Sequence, residues 1–105
     1  MFNVLLSLAD GDKHGYAMLK EVSDQTNGEV QLSTGTLYGI IKRLLTEGLI
    51  AEVRNRPASS NDDQRRRYYR LTSAGREVAV TEARRMEALL ARARSKRLIK
   101  AAAHA

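Results

Sequence analysis

Ser33-Thr34-Gly35-Thr36-Leu37-Tyr38-Gly39-Ile40-Ile41-Lys42-Arg43-Leu44-Leu45-Thr46-Glu47-Gly48 is the stretch on which the reading of this chain turns. Leu37, Ile40, Ile41, Leu44 and Leu45 recur at the i, i+3, i+4, i+7 and i+8 positions of a helix, which predicts one apolar stripe directed at a core. Ser33 or Thr34 can cap that helix by accepting from a free first-turn amide, and Gly48 stands at the C′ position, where helices commonly end on a left-handed residue. The opposite face carries Gly35, Tyr38, Gly39, Lys42 and Thr46. A glycine inside a helix costs about 1 kcal/mol against alanine. Gly39 therefore needs a reason, and close approach of another surface is one.

Upstream, residues 2 to 9 are apolar enough for a short buried helix, and Asp10-Gly11-Asp12 reads as a turn. A second helix fits residues 15 to 26, with Tyr16, Leu19 and Val22 on one side and Lys20, Glu21 and Asp24 on the other. Asn27-Gly28 ends it. Downstream, Leu49 to Arg56 reads as a strand and Arg66 to Thr72 as its antiparallel partner, joined by the polar loop from Pro57 to Gln64. Thr72 can cap a last helix running from Ser73 toward Lys100, on which Met86, Leu89, Leu90 and Ala93 form a modest stripe among arginines. The predicted fold is mainly α with a small antiparallel β-hairpin. In domain terms, residues 1–72 form a winged helix-turn-helix, and residues 73–105 a C-terminal dimerisation helix with a frayed basic tail.

The 105 residues suffice for one small core, and the formal charge of +6 suggests an anionic partner such as nucleic acid. The position of that charge qualifies the inference. Residues 1 to 83 hold eleven Lys/Arg against eleven Asp/Glu, and residues 84 to 105 hold seven basic residues against Glu87 alone. The whole excess lies in the tail. There is no cysteine, hence neither a disulfide framework nor a thiolate metal site. The opening apolar run is too short to span a bilayer and lacks a basic lead-in, so a cytoplasmic location without membrane contact is expected. Asp10, Asp12 and His14, or Asp62 and Asp63, could in principle ligate a metal. A turn and a loop tip are the simpler reading, and neither metal nor cofactor is expected. With no nucleophile beside a base, no paired carboxylates and no phosphate-cradling glycine loop, the sequence reads as a non-enzyme.

His14-Gly15-Tyr16, Gly35-Thr36-Leu37-Tyr38, Arg43-Leu44, Gly48-Leu49-Ile50, Arg67-Tyr68-Tyr69-Arg70-Leu71-Thr72 and Ala74-Gly75, in this order, resemble the PadR family of bacterial transcriptional regulators. The resemblance covers residues 2 to about 80, and the single C-terminal helix is similar to the family's short subgroup. It implies a dimeric repressor with Ser33 to Leu45 as recognition helix, Leu49 to Thr72 as wing, and the C-terminal helix joining two protomers. Many members have Pro where this chain has Thr34 and Gly39, and a longer lead-in before the first helix. The resemblance also implies that a small-molecule effector, where one acts, sits at the dimer interface.

On this reading the residues expected to contact double-stranded DNA are Ser33, Thr34, Gly35, Thr36, Tyr38, Gly39 and Lys42, with Arg65, Arg66 and Arg67 at the wing. Tyr38 and Lys42 are four apart on the polar face, able to donate to phosphates or base edges, and hydroxyls at a helix N-terminus reinforce its preference for anions. Met86, Leu89, Leu90 and Ala93 are the expected homodimer contacts. Two plainer readings stand beside these: Tyr38 as a half-buried aromatic, and the arginine cluster as a charged edge that discourages strand pairing. Tyr69, sharing a strand face with Leu71, is expected to pack inward. A non-specific architectural DNA binder and a protein-interaction module on the same fold are the competing functions.

Overall fold

In the computed structural model, which describes residues 1–53 and 67–100, the chain runs α1 (Phe2–Ser7), β1 (Lys13–His14), α2 (Gly15–Gln25), α3 (Thr34–Thr46), β2 (Ile50–Val53), β3 (Tyr68–Leu71) and α4 (Ser73–Ser95). The core draws Val4 and Leu5 from α1 with Leu8 just beyond it, Met18 and Val22 from α2, Leu37, Ile41 and Leu44 from α3, and Ile50 and Tyr69 from the sheet. Each aliphatic side chain so buried contributes about 1.5–3 kcal/mol. Ser7, a polar residue buried among them, donates from its hydroxyl to the Val4 carbonyl at 2.6 Å and so leaves no donor unmet.

Four details differ from the sequence-based expectation. The two-stranded hairpin is a three-stranded antiparallel sheet in the order β1-β3-β2, with Lys13 opposite Tyr69, His14 opposite Tyr68 and Ile50 opposite Leu71. Two residues are too few for an alternating pattern, so β1 arises from tertiary pairing alone. On α2 the inward face is set by Gly15, Met18 and Val22, while Tyr16 is 74% exposed and stacks on His14. Spacings of three and four residues pick out this set as readily as the one containing Tyr16, and the core takes the flexible Met18. On α3 the stripe narrows to Leu37, Ile41 and Leu44, leaving Leu45 exposed and Ile40 half-buried. Finally, α4 stops at Ser95, where Arg97 turns into the left-handed region at φ 63° and the Leu98 amide donates back to the Ala93 carbonyl at 2.9 Å. The expected strand residues 54–56 and 66, the loop tip and the frayed tail from Ala101 lie outside the described residues.

Capping follows the sequence closely. Ser33 Oγ accepts from the Thr36 amide at 3.1 Å, Thr72 Oγ1 from the Gly75 amide at 3.0 Å, and His14 Nδ1 from the Ala17 amide at 3.2 Å. The end of α3 and the start of α4 share one joint. Gly48 takes φ 75° to close α3, the Leu49 amide donates to the Leu44 carbonyl at 2.9 Å, and the Leu49 carbonyl accepts from the Thr72 amide at 3.1 Å. Thr72 adds a donation from its hydroxyl to the Gly48 carbonyl at 2.7 Å. Gly75 is buried directly on this joint, where a Cβ would collide with the Leu49 carbonyl and the Leu71 side chain. Gly75→Ala gains helix propensity of about 1 kcal/mol yet must displace backbone that cannot yield. We expect a net loss of about 1–3 kcal/mol in urea unfolding, the range for overpacked sites.

Candidate nucleic-acid interface

With Leu37, Ile41 and Leu44 turned inward, α3 exposes Thr34, Gly35, Thr36, Gly39 and Lys42, preceded by exposed Ser33. Among the described residues, a Cβ on Gly35 or on Gly39 would meet nothing within 4 Å. Packing against those residues therefore requires neither glycine. The glycines leave a shallow, side-chain-free strip along the helix. At its N-terminal end the Ser33 hydroxyl donates to the Thr36 hydroxyl at 2.9 Å, and the first turn carries no acidic residue. The free amides there keep their preference for an anion. Toward the other end, Lys42 stands exposed, and Arg43 pairs with Glu47 at 3.4 Å.

Tyr38 is placed differently from the rest of its face. It is 44% exposed, and its phenol reaches back over Gly15 at the start of α2. The half-buried reading of this ring therefore holds, and the part of it that stays exposed leaves the expected DNA contact as a proposal. Tyr69 is buried in the core, as its shared face with Leu71 predicts. Burial pushes its phenol up from the ordinary range, Tyr38 and Glu52 add to the rise, and Arg67 opposes it. Of the wing arginines, Arg67 is exposed and pairs with Glu52 across the sheet at 3.5 Å; Arg65 and Arg66 lie outside the described residues. An arginine that spacing did not single out, Arg70, forms a two-pronged bond with Asp12, Nε to Oδ1 at 3.1 Å and Nη2 to Oδ2 at 3.0 Å. It ties the Asp10–Asp12 turn to the wing.

Of the residues considered for metal binding, Asp62 and Asp63 lie outside the described residues, and Asp10, Asp12 and His14 have other roles. Asp10 pairs with Lys13, which holds its carboxyl below the usual range; Asp12 pairs with Arg70, and His14 caps α2. On α4, Leu89 is 61% and Leu90 46% exposed, Met86 is exposed as well, and Ala93 is half-buried. Among the described residues no helix is long and apolar enough to cross a membrane.

Three helices, the third capped at its start and polar on its outer face, followed by a small antiparallel sheet, define a winged helix-turn-helix protein. The sequence model of the family described as "Transcriptional regulator PadR-like family" matches residues 4–80, and the chain belongs to that family of transcriptional regulators. A transcriptional regulator of Mycobacterium tuberculosis is 37% identical over 90 residues, 86% of this chain and 77% of its own length. Of two further relatives the chain spans 64% of one and 23% of the other. A PadR family transcription regulator from Clostridium difficile shares the fold with a TM-score of 0.69 at 22% identity, over 93% of this chain and 98% of its own. Bacillus subtilis PadR, solved in complex with operator DNA, shares it with a TM-score of 0.64 at 18% identity, over 78% of this chain and 46% of its own.

Sequence reasoning located the strip on α3 from periodicity alone, but it passed over Gly15 as no more than part of a motif. A glycine opening a helix where no turn requires it was the available signal. The open space beside Gly39 has a measurable consequence. Gly39→Ala should raise folding stability by about 1 kcal/mol in chemical denaturation, because it gains helix propensity and meets no neighbour.

Proposed function

We propose that the chain is a sequence-specific DNA-binding transcriptional regulator, an effector-responsive repressor that works as a homodimer. The observation that carries this reading is the outer face of α3, where a capped N-terminus with exposed hydroxyl residues, two glycines with open space beside them and an exposed lysine lie along one strip. A helix with this face fits the major groove. The glycines let its backbone approach, Ser33, Thr34 and Thr36 hold a phosphate at the N-terminus, and Lys42 reaches base edges. Arg65, Arg66 and Arg67 would add phosphate contacts from the wing, Arg67 by exchanging its long ion pair with Glu52 for a phosphate. The family membership and the operator complex of the Bacillus subtilis protein support the same assignment.

The homodimer rests on α4. This helix of 23 residues is roughly 35 Å long by its rise. It packs on α1 and β3 near its start, and among the described residues it buries Gly75 alone. The radius of gyration is 16.3 Å, against roughly 13 Å for a compact domain of about 100 residues. An extended helix with Met86, Leu89, Leu90 and Ala93 along one side is suited to pairing with its equivalent in a second copy. A small-molecule effector would act where the paired helices meet the DNA-binding part, shifting the spacing of the two reading heads.

The test is a titration of the protein against its own upstream region and a scrambled duplex at several salt concentrations. A large specificity ratio supports the regulator, equal binding with a steep salt slope supports an architectural binder, and no binding leaves a protein-interaction module. Lys42→Ala should lose about 1–3 kcal/mol on the operator and relax discrimination at one base position per half-site. Paired replacement of Leu89 and Leu90 by Glu should yield a monomer in analytical ultracentrifugation, with much weaker operator binding. A double variant that remains dimeric overturns the assignment of α4.

A further inference from the structure

Gly15 is buried at the first position of α2, yet it is not among the residues with positive φ. The main chain there accepts any residue, and alanine would favour the helix over glycine. What excludes a side chain is Tyr38. A Cβ on Gly15 would stand 2.5 Å from the Tyr38 hydroxyl oxygen and 2.9 Å from Cζ, both shorter than real Cβ contacts. The phenol of the α3 face is therefore seated in the space that the missing side chain leaves. That seat adjoins the wing, because Gly15 follows β1, whose Lys13 and His14 pair with Tyr69 and Tyr68 of β3. Tyr69 lies opposite Lys13, two residues before Gly15, and its phenol, pushed up first by burial, is raised further by Tyr38.

We propose that Gly15 is a positioning residue for DNA recognition: it forms the socket for the Tyr38 ring, and the seated ring fixes the pose of the α3 face relative to the start of α2 and the wing strand. This rests on the regulator reading above and gives Tyr38 a different task from its neighbours. Its hydroxyl works inside the protein, against Gly15, and the exposed ring edge is what remains for DNA. Tyr38 is half-exposed and meets Gly15 with the far end of its side chain, so filling the socket displaces the ring without unfolding the chain. Gly15 then affects DNA binding without touching DNA.

Operator affinity is measured for the wild-type protein, Gly15→Ala, Tyr38→Ala and the double variant, with unfolding temperature recorded for each. Gly15→Ala should lower operator affinity about tenfold while keeping its unfolding temperature, and in the Tyr38→Ala background it should add less than about twofold. An equal loss in both backgrounds, or no loss in the first, overturns the proposal. A readout without DNA accompanies these. The Tyr38 ring signals in NMR spectra should shift toward those of a solvent-exposed tyrosine in Gly15→Ala, and the ionisation midpoint of Tyr69 should fall in Tyr38→Ala. Unchanged ring signals in Gly15→Ala also overturn the socket. If the wild-type protein binds no operator while the ring signals move as described, the regulator reading fails and the socket stands as packing only, which ends its proposed role in recognition.

Discussion

The carbonyl of Leu49 is the point on which this small fold closes. It lies one residue past the left-handed turn that ends α3 and one before β2, and it accepts from the amide of Thr72, between β3 and α4. Four elements meet around that single acceptor. Thr72 secures the joint twice more, donating to the Gly48 carbonyl and accepting from the Gly75 amide, while the bare Cα of Gly75 lets the long helix press down on it. A carbonyl shut away from water without its donor would cost about 1–3 kcal/mol, and the Thr72 amide supplies that donor. The exit of α3, the root of the wing and the entry to α4 are thus set by three hydrogen bonds and one missing methyl.

Much of this was legible because the signals are local. The spacing of Leu37, Ile41 and Leu44, the hydroxyls of Ser33 and Thr72 and the glycine at position 48 each act within one turn of chain, and each does in the structure what its chemistry predicts. Features that escaped depend on partners distant in sequence. β1 consists of two residues whose strand character comes from Tyr68 and Tyr69, more than fifty positions away. The choice between Tyr16 and Met18 on α2 turns on which side chain the assembled core can hold, and helical spacing does not decide that. The early end of α4 is set by a left-handed arginine, a conformation that residue type does not announce.

The candidate interface divides along the same line. The glycines and Lys42 could be placed outward from the apolar stripe, since a helix with one face buried has only one face to offer. Tyr38 could not, because its orientation follows from a vacancy on another helix. Charge was the least informative guide. The excess sits beyond residue 83, whereas the α3 strip relies on hydroxyls, amides and a single lysine, which give direction to contacts that a diffuse positive field leaves unspecified.

The strand order β1-β3-β2 has a consequence for biosynthesis. The middle strand is the last of the three to be translated, so β1 and β2 stay without their partner until Leu71 has left the ribosome. In that interval the nascent chain can assemble only its helices, whose contacts are close in sequence and quick to form. Waiting strands are a hazard when they are long, flat and apolar. Among the described residues one has two residues and the other four, Ile50-Ala51-Glu52-Val53, with a carboxylate among them. The brevity that hid β1 from sequence inspection also leaves the unfinished protein little edge for a neighbouring chain to pair with.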